Sequence, residues 1–346
     1  MAEKTARNAF TEVEVIRDNH AVGVSIPVSI GNELRFHNPP LRAVDLFAGC
    51  GGLSKGFENA GVDIRAAFEF WDAAADVYEL NFNHKVLRVD LGKERFDRVV
   101  DRVKGYHPDI IMGGPPCQDF SSAGKRIEAG RAELTETFAN IVVKVQPRYF
   151  VMENVPRART SVAYNNALNT LHSKGYGLTL IVLDASHCGV PQKRKRLFCI
   201  GIRGGMDNDS IILHLLTSRQ NDEEMTLRKY LGKKLDFEYY YRHPRNYNRR
   251  AVFSVDEPSP TVRGINRPMP KGYPGNPNDA TTDKALIHNL TTLDRAAIQT
   301  FPATYKWQGT KTALEQMIGN AVPVKLAEFV AKALVDYDRA TETPNS

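Results

Sequence analysis

The stretch LRAVDLFAGCGGLSKGFENAGVDIRAAFEF, residues 41–70, decides the fold of this chain. An apolar run ends at Asp45, a glycine turn follows, LSKGFENAG carries helical spacing, and VDIRAAFEF supplies a second apolar run. Strand, glycine turn, helix and strand in that order make a βα turn of the nucleotide-binding kind. Glycines there let a ligand approach the backbone, and the helix amino terminus offers free N–H groups. Glu69 ends the second strand, about 20 residues on, where an acidic side chain grips ribose hydroxyls. Ser54 replaces the third glycine of the dinucleotide fingerprint, which weakens a nicotinamide reading. Taken alone, the turn fits a tight structural role as well.

The rhythm continues beyond it. WDAAADVYELNF, with apolar positions Ala74, Val77, Tyr78 and Phe82, and LTETFANIVVKV both read as helices. VLRVDL, DIIMGG, RYFVMEN and LTLIVLDAS read as strands. This alternation predicts an α/β domain over residues 41–203, with a doubly wound, mostly parallel sheet. After LFCIGIR it stops, and residues 204–311, rich in Pro, Asn, Arg and Tyr, predict a second, small irregular domain with its hinge. Residues 312–346 return to the first domain through an amphipathic helix over about Val324 to Tyr337. Residues 1–40 form an extension, with a hairpin expected around Asp18 and Asn19.

With 42% apolar and 25% charged residues, the composition is that of an ordinary globular protein. No apolar run reaches the length of a membrane span, and the first residues lack a signal core, so a cytoplasmic location is expected. The four cysteines form no CxxC pair, which argues against a zinc cluster, and in so long a chain they fit a reducing compartment. Cys188 and Cys199 read as buried small hydrophobes. The net charge of +6 is compatible with nucleic acid. Two basic clusters stand out: QKRKR at 192–196, and RHPRNYNRR at 242–250 behind Tyr239, Tyr240 and Tyr241. A solvated basic face accounts for either equally well.

Chemistry concentrates in GGPPCQDFSSAGKR, residues 113–126. The rigid Pro115–Pro116 pair sets Cys117 in a defined place at a strand exit. A thiolate is intrinsically nucleophilic and can later leave. Glu153 ends the strand RYFVMEN, and a carboxyl there in a dry pocket should hold its proton to higher pH. Arg194 and Arg196 alternate with Lys193 and Lys195, so on an extended segment the arginines face inward and the lysines face solvent.

DLFAGCGG, GGPPCQDFSSAGKR, MENV (152–155), GVPQKRKRLFCIG (189–201), EPSPTVRG (257–264) and GNAVP (319–323) occur in one order. Together they resemble the motif set of DNA cytosine-5 methyltransferases of the bacterial restriction-modification type. The resemblance spans Asp45 to the final helix. It implies a Rossmann-like methyltransferase fold with a target-recognition domain, S-adenosyl-L-methionine as cofactor leaving as S-adenosyl-L-homocysteine, and no metal. The implied substrate is a cytosine flipped out of double-stranded DNA.

By the same resemblance, Cys117 attacks carbon 6 and Glu153 assists at ring nitrogen 3. Pro116 and Asn154 shape the cysteine loop, and Arg194 and Arg196 point towards the ring carbonyl and that loop. The cofactor falls to Asp45, Phe47, Gly49, Cys50, Gly51 and Gly52, with Glu69 on the ribose and Phe70 on the adenine, where Trp71 is a rival. Asp90 and Leu91 take the adenine edge; Pro115, Asn320 and Ala321 complete the pocket. Expected DNA contacts are Gln118, Ser121, Lys125 and Arg126 in the cysteine loop, and Arg242, Arg245, Asn246, Arg263, Asn266 and Arg267 in the second domain. A cognate endonuclease acting on the same site, a monomeric state, no membrane partner and association with the nucleoid through DNA complete the expectation. The alternative within the fold is a transfer RNA cytosine-5 methyltransferase, against which residues 204–311 contain no cysteine. A DNA-binding protein without catalysis leaves the cysteine and glutamate unused. A nucleotide-dependent oxidoreductase leaves QKRKR and the basic aromatic domain unexplained.

Overall fold

The computed structural model describes residues 39–116, 129–246 and 248–341, with no side chains given for 129–132. The expected amino-terminal hairpin lies outside them. The first half supplies β1 (Arg42–Leu46), β2 (Asp63–Glu69), β3 (Lys85–Arg88), β4 (Ile110–Gly113) and β5 (Tyr149–Asn154). Then come β6 (Tyr176–Asp184), the two-residue β7 (Gln192–Lys193) and β8 (Lys195–Arg203). The main sheet has the order β3-β2-β1-β4-β5-β8-β6. All neighbours are parallel except β8, which runs antiparallel to both β5 and β6. Residues 185–194 are too few for a crossover between β6 and β8, so the chain must turn back on itself. The expected doubly wound, mostly parallel sheet is therefore present.

Side chains alternate between the two faces of the buried β1 and divide the core. Ala43 joins a cluster with Leu53 and Phe57 of α1 (Gly52–Asn59) and with Val330 and Leu334 of the carboxy-terminal helix. Val44 and Leu46 face the opposite cluster, with Phe138, Val142, Leu168 and Leu171. The helices are α1, α2 (Asp72–Glu79), α3 (Phe96–Lys104), α4 (Ala129–Val145) and α5 (Val162–Ser173). They continue as α6 (Ser210–Thr217), α7 (Leu227–Leu231), α8 (Thr292–Ile298), α9 (Lys311–Asn320) and α10 (Val324–Thr341). Buried α10 positions Leu326, Ala327, Val330, Ala331, Leu334 and Tyr337 follow the helical period and extend the expected helix by one turn.

α6 buries Ile212 and Leu216 in the α1–α10 cluster. Residues 210–217 therefore pack with the main sheet and not with the irregular region expected from residue 204. α3 is an element the sequence reading passed over; its Val99, Val100 and Val103 sit among five charged residues.

The region expected as the second domain is built around a small sheet of β9 (Tyr239–Tyr241), β10 (Val252–Ser254) and β12 (Ile287–Asn289), in the order β10-β9-β12. The two-residue β11 (Ser259–Pro260) pairs with β7 and ties this domain to the sheet half. Tyr240, Val255, Val262 and Leu290 share one cluster with Cys50, Ala75 and Tyr78, so the apolar core is continuous between the two parts.

Candidate active site

A cleft of about 840 Å³ opens at the carboxyl ends of β1, β2, β4 and β5, where the sheet order reverses between β1 and β4. Ligands of open α/β sheets bind at such a point. Phe47, just past β1, takes φ +65° and lines the cleft. A non-glycine residue in that region is strained, and strain of this kind gathers at binding sites. Gly52 opens α1 where a Cβ would stand 2.3 Å from the Val322 carbonyl oxygen; its lack of a side chain lets the turn before α10 close on the cleft.

Glu69 is buried at the end of β2, and both its oxygens accept backbone N–H groups, Oε2 from Gly49 at 2.7 Å and Oε1 from Trp71 at 2.8 Å. Burial pushes its carboxyl pKa up, while these donors pull it down. Phe70 next to it is 55% exposed, whereas Trp71 is half-buried against the core. Both line the cleft, and so do Cys50, Asp90, Leu91, Asn320 and Ala321. Asp90 accepts from the Gly92 N–H at 3.0 Å and pairs with Lys93 at 3.1 Å.

At the other end stand Pro115, Pro116, Glu153 and Arg196. Arg196 Nε donates to Glu153 Oε1 at 2.8 Å. Burial raises the Glu153 pKa, and the Arg196 and Arg194 charges only partly oppose it. Asn154 Nδ2 donates to the Pro115 carbonyl at 3.0 Å and so fixes the strand exit that leads to Cys117. Cys117, Gln118, Ser121, Lys125 and Arg126 lie outside the described residues.

Three expected site residues are placed otherwise than expected, although Arg194 still lines the cleft. Arg194 faces inward as the alternation predicts, with 1% exposure, but its guanidinium is spent on backbone. It donates to the carbonyls of Val262, Gly319 and Ala321, each at 3.0 Å, instead of reaching for a ring carbonyl. Asp45 points under α1, away from the cleft lining, because it shares the sheet face of Ala43 two residues before. His84 Nε2, the Tyr78 hydroxyl, the Ser54 hydroxyl and Asp45 Oδ2 follow one another at 2.6, 2.7 and 2.6 Å. Ser54, odd as a dinucleotide fingerprint, makes sense as the donor to Asp45. Gly51, at φ +88°, turns its α-carbon towards Phe82 and Tyr305 and does not line the cleft.

The family model for C-5 cytosine-specific DNA methylases matches residues 41–336. The chain belongs to that family. This DNA cytosine-5 methyltransferase is 53% identical over 301 residues to the type II methyltransferase M.HindV of Haemophilus influenzae, covering 86% of this chain and 98% of that one. To M.HgiDI of Herpetosiphon aurantiacus it is 52% identical over 298 residues, covering 86% and 95%. Among solved structures, the Dnmt2 methyltransferase of S. pombe matches with a TM-score of 0.63 at 16% identity, covering 86% and 99%, a likeness of fold.

The methyltransferase's second domain divides its expected DNA contacts in two. Arg242 donates to the Thr261 carbonyl at 2.8 Å, and Arg263 donates to that of His243. Asn266 Nδ2 donates to the Leu290 carbonyl at 2.7 Å and to Glu315 at 3.1 Å, so its amide faces inward. Arg245, Asn246 and Arg267 are exposed. Burial, with Arg263 close by, lowers the Arg242 pKa to about 10, as expected where cations crowd. Tyr240 and Tyr241 are core residues. Sequence reading missed Gln192 and Gln299, both fully buried beside the cleft. Their signal was a polar residue at an inward strand or helix-end position.

Proposed function

We propose that this methyltransferase moves a methyl group from S-adenosyl-L-methionine to carbon 5 of a flipped cytosine in a specific duplex sequence, through a covalent Cys117 adduct. The pairing of the buried Glu153 with Arg196 beside the proline-braced strand exit carries the reading.

The cleft fits the cofactor. No atom lies within 4 Å of where a Cβ on Gly49 would stand, so a ligand can approach that backbone. Glu69 keeps unused lone pairs for ribose hydroxyls, and the exposed Phe70 ring offers a face for a purine. Asp90 suits the adenine amino group, and Asn320 and Ala321 the methionyl end. Bound there, the cofactor supplies a methyl group on a positively charged sulfur.

The chain's own residues prepare the base. The Cys117 thiolate adds to carbon 6, and Glu153 gives its proton to ring nitrogen 3, so electron density gathers at carbon 5. The raised Glu153 pKa keeps that proton available. Arg196 holds the Glu153 carboxyl in place and balances its charge once the proton has left. After carbon 5 is methylated, water removes its proton, the Cys117–carbon 6 bond breaks, and Glu153 recovers the nitrogen 3 proton. Arg245, Asn246 and Arg267 offer exposed donors to phosphates and bases. The names of M.HindV and M.HgiDI as type II methyltransferases support a host-protecting role beside a restriction endonuclease.

Bisulfite sequencing of plasmid DNA from cells expressing the protein tests this. The expected result is one short sequence whose cytosine resists conversion. Full conversion at every cytosine would overturn the proposal.

A further inference from the structure

Asn320 and Ala321 enter the cleft on the turn between α9 and α10, yet the groups that shape this turn come from distant parts of the chain. Gln299, just after α8 and fully buried, donates through Nε2 to the carbonyls of Ile318 at 2.6 Å and Ala321 at 3.0 Å. Its Oε1 accepts from Gln192 Nε2 at 2.7 Å, and Gln192 Oε1 accepts from the Val262 N–H at 2.8 Å. Arg194, two residues along from Gln192, holds the carbonyls of Val262, Gly319 and Ala321. Three side chains thus capture both backbone groups of Val262 and the carbonyls of three turn residues.

The backbone after α8 completes the grip from the other side. The Val324 N–H donates to the Gln299 carbonyl at 3.1 Å, and the Lys325 N–H to Thr300 Oγ1 at 2.9 Å, so α10 receives its amino-terminal cap from the segment that follows α8. Thr300 takes φ +61° to do so. Bulky apolar residues could fill the same volume, but only hydrogen-bonding amides at both positions impose one arrangement on the turn.

We propose that Gln299 and Gln192 are positioning residues for the cofactor turn: through them, seating of the target-side segment Ser259–Gly264 sets the shape of the pocket that takes the methionyl end of a sulfonium nucleoside. The inference rests on the reading of the cleft as an S-adenosyl-L-methionine site. Gln192 links the two sides through Gln299, since it bonds Val262 and Gln299, and Arg194 spans them directly.

Titration calorimetry of the full chain with S-adenosyl-L-homocysteine tests it. Gln299→Glu keeps the acceptor for Gln192 and loses both donors to the turn; its Kd should rise about tenfold or more, as a displaced binding group requires. Its KM for S-adenosyl-L-methionine should rise by a larger factor than its kcat falls. Gln192→Glu keeps the acceptor for Val262 and loses the donor to Gln299, so its effect should be smaller and in the same direction. If the unmodified protein does not bind S-adenosyl-L-homocysteine, the cofactor reading itself falls. If it binds and both variants bind within about twofold of it, the positioning role is overturned. Loss of the folded far-ultraviolet signal in both variants also overturns it, because the amides would then be general core elements.

Discussion

The sheet half and the second domain use opposite devices to fix their backbones. In the sheet half, long strands exchange ladder bonds, side chains are left over, and those at the strand ends are free to line a cleft. In the second domain, strands of three residues leave much of the backbone without ladder partners, and side chains take over. Asp279 accepts from the N–H groups of Ala251 and Val252, and Arg242, Arg250 and Arg263 all donate to carbonyls. A basic residue in such a domain is therefore not by default a DNA contact. Its partner decides, and exposure separates Arg245 and Arg267 from Arg242 and Arg263.

Four substitutions press on this contrast. The largest effect belongs to the sheet half: Cys117→Ala should abolish transfer of labelled methyl to DNA while S-adenosyl-L-homocysteine binding persists, and residual transfer would break the covalent mechanism. Glu153→Gln should lower kcat by about 10²- to 10⁴-fold, the usual range for a lost acid–base group. In the unaltered enzyme, kcat should fall as pH rises through the Glu153 pKa, which lies above 4.5, because the protonated form gives the proton. Rising kcat across that titration would contradict the assignment.

Arg194 bridges the two halves. Arg194→Met orphans the buried carbonyls of Val262 and Gly319, leaves that of Ala321 to Gln299, and should cost about 2 kcal/mol or more, seen as a lower urea midpoint. An unchanged midpoint would show that water replaces the guanidinium. The smallest effect is expected at the second domain's surface: Arg245→Ala should weaken duplex binding about three- to tenfold and flatten the salt dependence by about one charge, with thermal stability unchanged. A loss of stability there would blur the distinction between inward and outward arginines.

Much of the sheet half was legible in sequence. LRAVDLF, DIIMGG and RYFVMEN are buried strands whose apolar runs announce them, and the glycine turn and Glu69 mark the cleft because a ligand site demands those residue types there. Arg194 was legible in direction but not in partner, since its carbonyls belong to residues 262, 319 and 321, brought near only by folding. Asn266 failed for the same reason. Gln299 carries no local signal beyond its polarity. The small sheet was hidden because three-residue strands are too short to display a period.

The chain of hydroxyls beneath the glycine turn has a consequence for protons. Burial carries Asp45 from 3.8 up to about 7 and His84 from 6.5 down to about 4. Near pH 5 the unfolded chain would hold the first as an anion and the second as a cation; the folded chain holds both neutral. The proton that His84 gives up on folding matches the one that Asp45 takes. Asp45 alone would make stability fall as pH rises between about 4 and 7, and His84 alone would make it rise between about 4 and 6.5, so the slopes oppose each other. Near pH 5, folding exchanges two separate ions for two uncharged groups without changing the proton count of these two residues.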